Sequence, residues 1–232
     1  MERRVSRRPA ATRLALVMTV AALVASAAPA VHRRWLAPTQ ADQPPKELAA
    51  GKLLVARRSL QDPNFSQTVI LLVQHSEDEG TVGLILNRQT KIPLSRLSKE
   101  LEGAKGRSEP LYLGGPVQTD SVMALVRSRT KPEDAKLVLG EVYMISSKTG
   151  LDKTITSVPA AGTLRLYLGY AGWDAGQLEW ELGMDAWNVL PATAGIVFDA
   201  HPETLWSRLV DQEELQMAHA GWLLACKLAK IL

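Results

Sequence analysis

The chain has 232 residues, of which 46% are hydrophobic and 22% charged, a composition that excludes a disordered, a collagen-like and a multi-span membrane protein. The net charge of +3 is local, because residues 1–27 carry five arginines against one glutamate, which leaves 22 basic and 23 acidic residues and a net charge of −1 in the rest. The near-neutral body disfavours nucleic acid as a partner, and the single cysteine, Cys226, excludes an internal disulfide framework and a cysteine-rich zinc site.

Residues 1–31 have the composition of a signal peptide or an N-terminal membrane anchor. Residues 1–13 are rich in arginine, residues 14–28 carry no charge, and small residues suitable for cleavage precede Ala28 and Val31. If the segment is not cleaved, residues 14–31 associate with the membrane, and the arginines keep the N-terminus in the cytoplasm. We therefore expect a periplasmic protein, or one anchored in the inner membrane with its domain outside the cytoplasm. A misassigned start codon would make it cytoplasmic.

The remaining chain divides into three parts. Residues 32–50 contain three prolines among polar residues without an apolar period, which predicts a flexible linker. Residues 51–210 carry the periodic patterns of a folded domain. Residues 211–232 form a helical extension, which begins with acidic and ends with basic residues. A core-capping role is favoured for this helix because lysine occurs in it only twice, and membrane-interface and partner-binding roles remain open.

The strongest pattern of the domain is a buried antiparallel hairpin. Residues 68–75 and 81–86 are apolar and β-branched, and five polar residues ending in Gly80 connect them. Other predicted strands are 53–56, 111–113, 121–126, 137–145, 164–170, 186–190 and 196–198, and predicted helices are 93–101, 174–183 with Asp174 as N-cap, and 204–210. Because adjacent strands interrupt any strict alternation with helices, we predict a single α+β domain with a mixed sheet partly covered by helices.

The sequence contains no recognisable catalytic set. Its four histidines have no metal-ligand spacing, and no Gly-x-Ser-x-Gly motif is present. His75 ends a predicted buried strand, where a hydrogen bond to a neighbouring carbonyl is the expected role. These patterns predict no metal, no cofactor and no enzymatic activity.

Four sequence blocks are more specific in combination than alone. The blocks are Ser59–Phe65 (SLQDPNF), Val82–Arg88 (VGLILNR), Gly114–Val117 (GGPV) and Leu164–Glu179 (LRLYLGYAGWDAGQLE). Their order and spacing over about residues 52–210 resemble the YqgE/AlgH family. The resemblance implies a compact α+β domain with a partly closed β-sheet surrounded by helices. Members are mostly bacterial and are often labelled transcriptional regulators, a label that comes from a link to alginate control, with no generally agreed biochemical activity.

Glycine, aromatic and Asn-Arg chemistry is concentrated in these blocks, which favours a non-enzymatic binding or scaffold protein. Its partner would be an unknown protein or a small ligand. The candidate binding groove comprises Asn87, Arg88, Gly114, Gly115, Tyr170, Trp173 and Gln177. Two alternatives stand beside this hypothesis: a cytoplasmic transcriptional regulator, and a hydrolase centred on Asp62, His75 and Asp120.

Overall fold

The computed structural model describes residues 47–158 and 162–229, and all of them fall in one compact unit. In chain order its elements are β1 (Lys52–Ala56), β2 (Val69–Ser76), β3 (Gly80–Ile85), β4 (Gln89–Pro93), two short 3-10 helices (Leu94–Leu97 and Glu102–Ala104), β5 (Pro110–Leu113), β6 (Val117–Arg127), β7 (Lys136–Leu139), β8 (Val142–Ile145), α1 (Lys148–Ser157), β9 (Leu164–Trp173), α2 (Gln177–Gly183), β10 (Trp187–Pro191), α3 (Ala194–Val197) and α4 (Pro202–Ala229).

The strands form one mixed sheet. Its main path runs β10-β1-β2-β3-β9-β6-β8-β7, and neighbouring strands on it are antiparallel. β5 adds a parallel pairing with β9, and β4 pairs with β5. The parallel pairing makes the sheet mixed, as the sequence predicts.

The sheet curls until its edge strand β7 approaches β2 and the start of β1. The Lys136 ammonium donates to Gln74 Oε1 at 3.2 Å. Gly51 packs so closely on β7 that an added Cβ would lie 3.0 Å from the Val138 carbonyl oxygen. The prediction of an α+β domain with a partly closed sheet is therefore confirmed.

Curling gives the sheet an inner and an outer face, each with its own core. The inner face packs on α3 and on the first turns of α4 through Val197, Leu205 and Leu209. On the outer face, one cluster lies against α2 and a second against α1 and the 3-10 helices. Neighbouring residues of β9 accordingly belong to different cores.

The predicted hairpin is confirmed as β2 and β3. Five successive residues, 69–73, are fully buried because both faces of β2 are covered, which explains the continuous apolar run. The acidic residues 77–79 form the exposed turn at its tip.

Two strand predictions were wrong. The run 137–145 is divided into β7 and β8 by a turn in which Gly140 has φ +49°. Residues 196–198 lie in and just after the single turn of α3, which starts because the Thr193 side chain accepts a hydrogen bond from Ile196 N.

The helix predicted at 93–101 was also wrong. The backbone N–H groups of Leu94 and Ser95 donate to carbonyls of Glu109 and Arg107, at 2.7 and 3.0 Å. The segment is therefore held against the chain leading into β5, and a 3-10 turn buries Leu94 and partly buries Leu97 without an α-helix. β4, just before it, was not predicted.

Three boundaries also differ from the predictions. β9 continues to Trp173, three residues beyond the predicted end at Tyr170, so Trp173 also belongs to the strand. α2 begins after Gly176, whose φ is +76°, and not after Asp174. The helices predicted at 204–210 and from 211 onward are one continuous helix, α4.

Within the residues whose side chains the structure describes, 211–220 and 222, the extension does not cap the core. Residues 214–220 are exposed, and the side chains of Leu215 and Trp222 are 71% and 62% exposed. α1, capped by the Ser147 hydroxyl, was not predicted and covers part of the outer face instead.

The predicted leader and most of the linker, residues 1–46, lie outside the described residues. In the part that the structure describes, no helix combines the length and the apolar character needed to cross a bilayer.

Candidate functional site

Asn87 uses both ends of its side-chain amide to hold the loop before β2. Its Oδ1 accepts from Val69 N at 2.9 Å, and its Nδ2 donates to the Gln67 carbonyl at 2.8 Å. Because Val69 is fully buried, its N–H group needs this acceptor. The geometry gives Asn87 a structural role in closing the loop.

Arg88 lies next to Asn87 and is partly buried. Burial lowers the pKa of its guanidinium, and the nearby Asp62 carboxylate opposes that shift. Asp62 also accepts from Asn64 N at 2.7 Å, which fixes the turn after β1. Arg88 and Asp62 thus form a pair of neighbouring opposite charges.

Gly114 and Gly115 lie where the chain crosses closely over β9. A Cβ on Gly114 would lie 2.2 Å from the Gly169 carbonyl oxygen, and a Cβ on Gly115 would lie 2.1 Å from the Tyr170 carbonyl carbon. Gly169 itself has φ +66°. Only residues without a side chain permit this approach.

Trp173 belongs to the outer core beside α2. Its ring stacks on Phe65 with centroids 5.7 Å apart, and its indole Nε1 donates to Glu181 Oε2 at 3.0 Å. Trp187 donates to the same oxygen at 2.8 Å, and Gln177 Nε2 donates to Glu181 Oε1 at 3.1 Å. These bonds fix α2 to the sheet.

Tyr170 packs against the inner core, whereas Trp173 lies in the outer core. The sheet therefore separates these two aromatic side chains of the predicted groove. Asn87, Arg88, Gly114 and Gly115 lie together near the end of β3, since Ile85 N donates to the Gly114 carbonyl and Leu113 N to that of Arg88. A binding role for the seven residues stays a prediction.

The three residues of the hydrolase hypothesis have separate surroundings. His75 Nδ1 is 2.8 Å from the Thr81 hydroxyl, a partner across the hairpin instead of the predicted carbonyl, and its Nε2 is 3.9 Å from Glu179. Asp62 lies in the loop after β1, and Asp120 lies in β6. No hydrogen bond or ion pair between described residues joins any two of them.

Metal-binding groups show no clustering either. Across residues 47–158 and 162–229, no three His, Cys, Asp or Glu side chains are grouped so that they could hold a metal ion.

A large bulge in β6 follows from the glycine crossing. β6 advances five positions, from Val117 to Val122, while its partner β9 advances two, from Tyr170 to Leu168. Gln118, the first bulged residue, has φ +45°, a conformation that costs energy for a residue with a side chain. Bulges of this kind often lie beside binding sites because they redirect side chains.

The bulge borders a cavity of about 860 Å³, which we call the bulge groove. Its floor is apolar and its rim is polar. The floor consists of Leu97, Leu101, Val122, Leu151 and Leu168, and the rim of Lys99, Glu100, Gln118, Asp120, Ser121, Ser146 and Lys148. Met123 also borders the cavity, but its side chain packs against the inner core. Ligand sites commonly combine an apolar surface with a few polar groups.

Unpaired polar groups distinguish the rim of the bulge groove. The Ser121 hydroxyl oxygen is buried and has no partner among the described residues. Within the same part of the chain, no hydrogen bond or ion pair engages the side chains of Lys99, Glu100, Asp120 and Lys148. The rim therefore offers two positive and two negative groups to a ligand. Sequence reasoning missed this groove because it is assembled from four separate segments, although Gly114, Gly115 and Gly169 marked the crossing beside it.

Comparisons with known proteins cover the folded domain. An AlgH-like family model matches residues 53–218. A UPF0301 protein from Thermobifida fusca is 36% identical over 179 residues, which span 72% of this chain and 88% of the relative. The UPF0301 protein CT0663 from Chlorobaculum tepidum is 39% identical over 164 residues, 70% of this chain and 86% of the relative.

Two solved structures are also similar. The solution structure of the AlgH protein from Pseudomonas aeruginosa has a TM-score of 0.58 and 35% identity, and the match covers 70% of this chain and 87% of that one. The crystal structure of protein DIP2367 from Corynebacterium diphtheriae has a TM-score of 0.58 and 26% identity, with 70% and 86% covered.

Proposed function

The chain belongs to the AlgH-like family, and from that premise we propose that it is a non-enzymatic binding protein whose bulge groove holds a short segment of another protein. The observation that carries the proposal is the groove itself, in which an apolar floor lies beneath a buried, unpaired Ser121 hydroxyl and four unpaired charged side chains.

The groove's chemistry selects the class of ligand. An apolar side chain of the ligand would bury itself on the leucines and Val122, which is favourable by about 25 cal/mol per Å² of apolar surface removed from water. Ser121 and Gln118 supply the donors and acceptors that a peptide backbone requires. The rim carries both lysines and carboxylates, which suits a segment with charges of both signs beside its apolar residue.

Selection of peptides from a random displayed library on the full-length chain tests this proposal. We expect the selected peptides to share an apolar residue flanked by charged ones, and to shift the NMR resonances of residues 97–101, 118–123 and 146–151. Lys148→Glu should weaken binding up to about fivefold, the effect of an exposed charge pair. Ser121→Leu fills the groove and should weaken binding more than tenfold.

Lys91→Glu is the matched control, since Lys91 is also exposed and lies outside the groove. Binding by the control should equal that of the wild type. Failure to enrich any peptide, or undiminished binding by the Ser121→Leu variant, would rule out the bulge groove as the binding site.

The proposal includes a location, namely the periplasm or the outer side of the inner membrane. The arginine-led apolar segment 1–31 supports it, and this segment precedes the region matched by the family model, residues 53–218. Cell fractionation and sequencing of the mature N-terminus should give a chain that starts at Ala28 or Val31, or an uncleaved chain in the membrane fraction. Intact protein in the cytoplasmic fraction would contradict export.

A further inference from the structure

Arg165 is a buried charge on the inner face of the curled sheet. Arg165 is only 9% exposed. Its guanidinium carbon lies 4.8 Å from the ring centre of Tyr112 and 6.0 Å from that of Phe198. One terminal nitrogen, Nη2, donates to the carbonyl of Asp199. The other, Nη1, is buried without an acceptor among the described residues.

Tyr167, two positions further along β9, faces the same interior. It is fully buried, and its hydroxyl likewise has no hydrogen-bond partner in the described part of the chain. Burial raises the pKa of Tyr167, and the nearby Arg165 guanidinium opposes the rise. The hydroxyl therefore keeps its proton at neutral pH. Even a small movement that let Tyr167 accept from Arg165 would leave that proton without an acceptor.

The charge of Arg165 is not neutralised directly. Among the described residues, no carboxylate lies within ion-pair distance of it. Asp199, whose backbone carbonyl accepts from Arg165, pairs through its carboxylate with Arg208 at 2.8 Å. The Arg165 guanidinium therefore has no paired carboxylate, and a buried charge without a counterion is costly.

We propose that Arg165 Nη1 and the Tyr167 hydroxyl form a binding site for one compact monovalent anion inside the curled sheet, either a free halide or a small carboxylate. The Arg165 guanidinium lies close enough to Tyr167 to act on its pKa, so one cationic and one neutral donor are available to a single negative acceptor atom. The Tyr112 and Phe198 rings lie beside the guanidinium. This site is distinct from the bulge groove, and neither proposal depends on the other.

Thermal unfolding of the full-length chain in sodium chloride against sodium gluconate, at equal ionic strength, tests the site. Because an anion that binds only the folded state stabilises it by mass action, chloride should raise Tm in a saturating manner. Tyr167→Phe should raise the apparent Kd for chloride about tenfold, the loss expected for one hydrogen bond to a charged group. Tyr143→Phe is the control, because Tyr143 is a partly buried tyrosine that packs against another core. This variant should keep the chloride response of the wild type.

Repeating the measurement in sodium formate distinguishes the two classes of anion. A rise in Tm with formate but not with chloride identifies a carboxylate site. Arg165→Met should abolish the response to either anion. If that variant does not fold, anomalous scattering from a bromide-soaked crystal of the wild type decides, with a peak expected between Nη1 and the Tyr167 hydroxyl. Equal Tm values in all three salts, or the same response in Tyr167→Phe as in the wild type, would overturn the proposal.

Discussion

The packing around Gly115 leaves no room for a side chain. The carbonyl carbon and oxygen of Tyr170 and the nitrogen of Ala171 would all lie within 2.3 Å of a Cβ at this position. These atoms are backbone atoms of a central strand, so they cannot move aside as a flexible side chain could.

We therefore predict that Gly115→Ala lowers the free energy of unfolding by about 1–3 kcal/mol, the usual cost of overpacking. Urea denaturation followed by tryptophan fluorescence measures it. Gly183→Ala is the control, because nothing lies within 4 Å of its added Cβ, and its stability should equal or exceed that of the wild type. Equal stability of both variants would show that the crossing relaxes.

Asp199 makes the free energy of unfolding of the domain depend on pH in the acidic range. Burial alone would raise the pKa of its carboxyl, but hydrogen bonds from Arg208 and from the backbone of His201 outweigh burial and lower the pKa below its ordinary value of 3.8. A group whose pKa is lower in the folded state contributes stability above its unfolded pKa. That contribution is lost as the pH falls through the folded pKa.

Asp199→Asn removes this contribution while keeping the backbone carbonyl that binds Arg165. We expect the free energy of unfolding to fall less steeply between about pH 5 and pH 3 in the variant than in the wild type. Urea titrations at stepped pH values measure both slopes. Parallel slopes would mean that Asp199 does not couple folding to pH.

At the scale of elements, α4 has two halves with different surroundings. Leu205 and Val210 are buried in the inner core, and Arg58 pairs with Asp211 at 2.5 Å and with Glu214 at 2.8 Å. Beyond Glu214 the helix is exposed as far as residue 220.

Deleting residues 215–232 should therefore change the free energy of unfolding by less than about 0.5 kcal/mol, as surface changes usually do. Deleting residues 208–232 also removes the buried Leu209 and Val210 and should cost at least about 2 kcal/mol. Calorimetry of both truncated chains separates these cases. A large loss in the shorter deletion would show that the exposed half of α4 packs on the domain.

For the whole molecule, the charge distribution bears on the regulator hypothesis. The chain beyond residue 27 has a net charge of −1, so it lacks the excess of basic residues that would displace counterions from DNA. We predict no DNA retardation in a gel shift at low salt once the five leader arginines are replaced by glutamine. Salt-sensitive retardation that survives this replacement would favour a regulator and weaken the binding hypothesis above.

Local patterns predicted the parts of the fold that depend on neighbouring residues. Both strands of the β2–β3 hairpin and the acidic turn between them were predictable because complete burial requires a continuous apolar run. The run 137–145 misled because Gly140 and Glu141 interrupt the strand without weakening its apolar period. The segment 93–101 misled because its leucines stand at helical spacing and face the core, while long-range backbone hydrogen bonds prevent an α-helix.

The candidate site was predictable only in part. The sequence drew attention to Gly114 and Gly115, but their role depends on the crossing with Gly169, which lies 54 residues further along the chain than Gly115. No local pattern reveals that Ser121 is buried beside Leu151 and Leu168. Likewise, the unpaired state of Arg165 depends on which carboxylates the folded chain brings near it.

The crossing at the bulge separates the residues that hold the sheet from those that face the groove. The glycines keep β5 and β9 in register, whereas positions 118–121 have no partner in the ladder and support no other strand. Substitutions at these four positions, or a longer loop in their place, should therefore change which ligand the groove binds without changing the core. Replacing this four-residue segment by that of a relative should transfer the relative's ligand specificity.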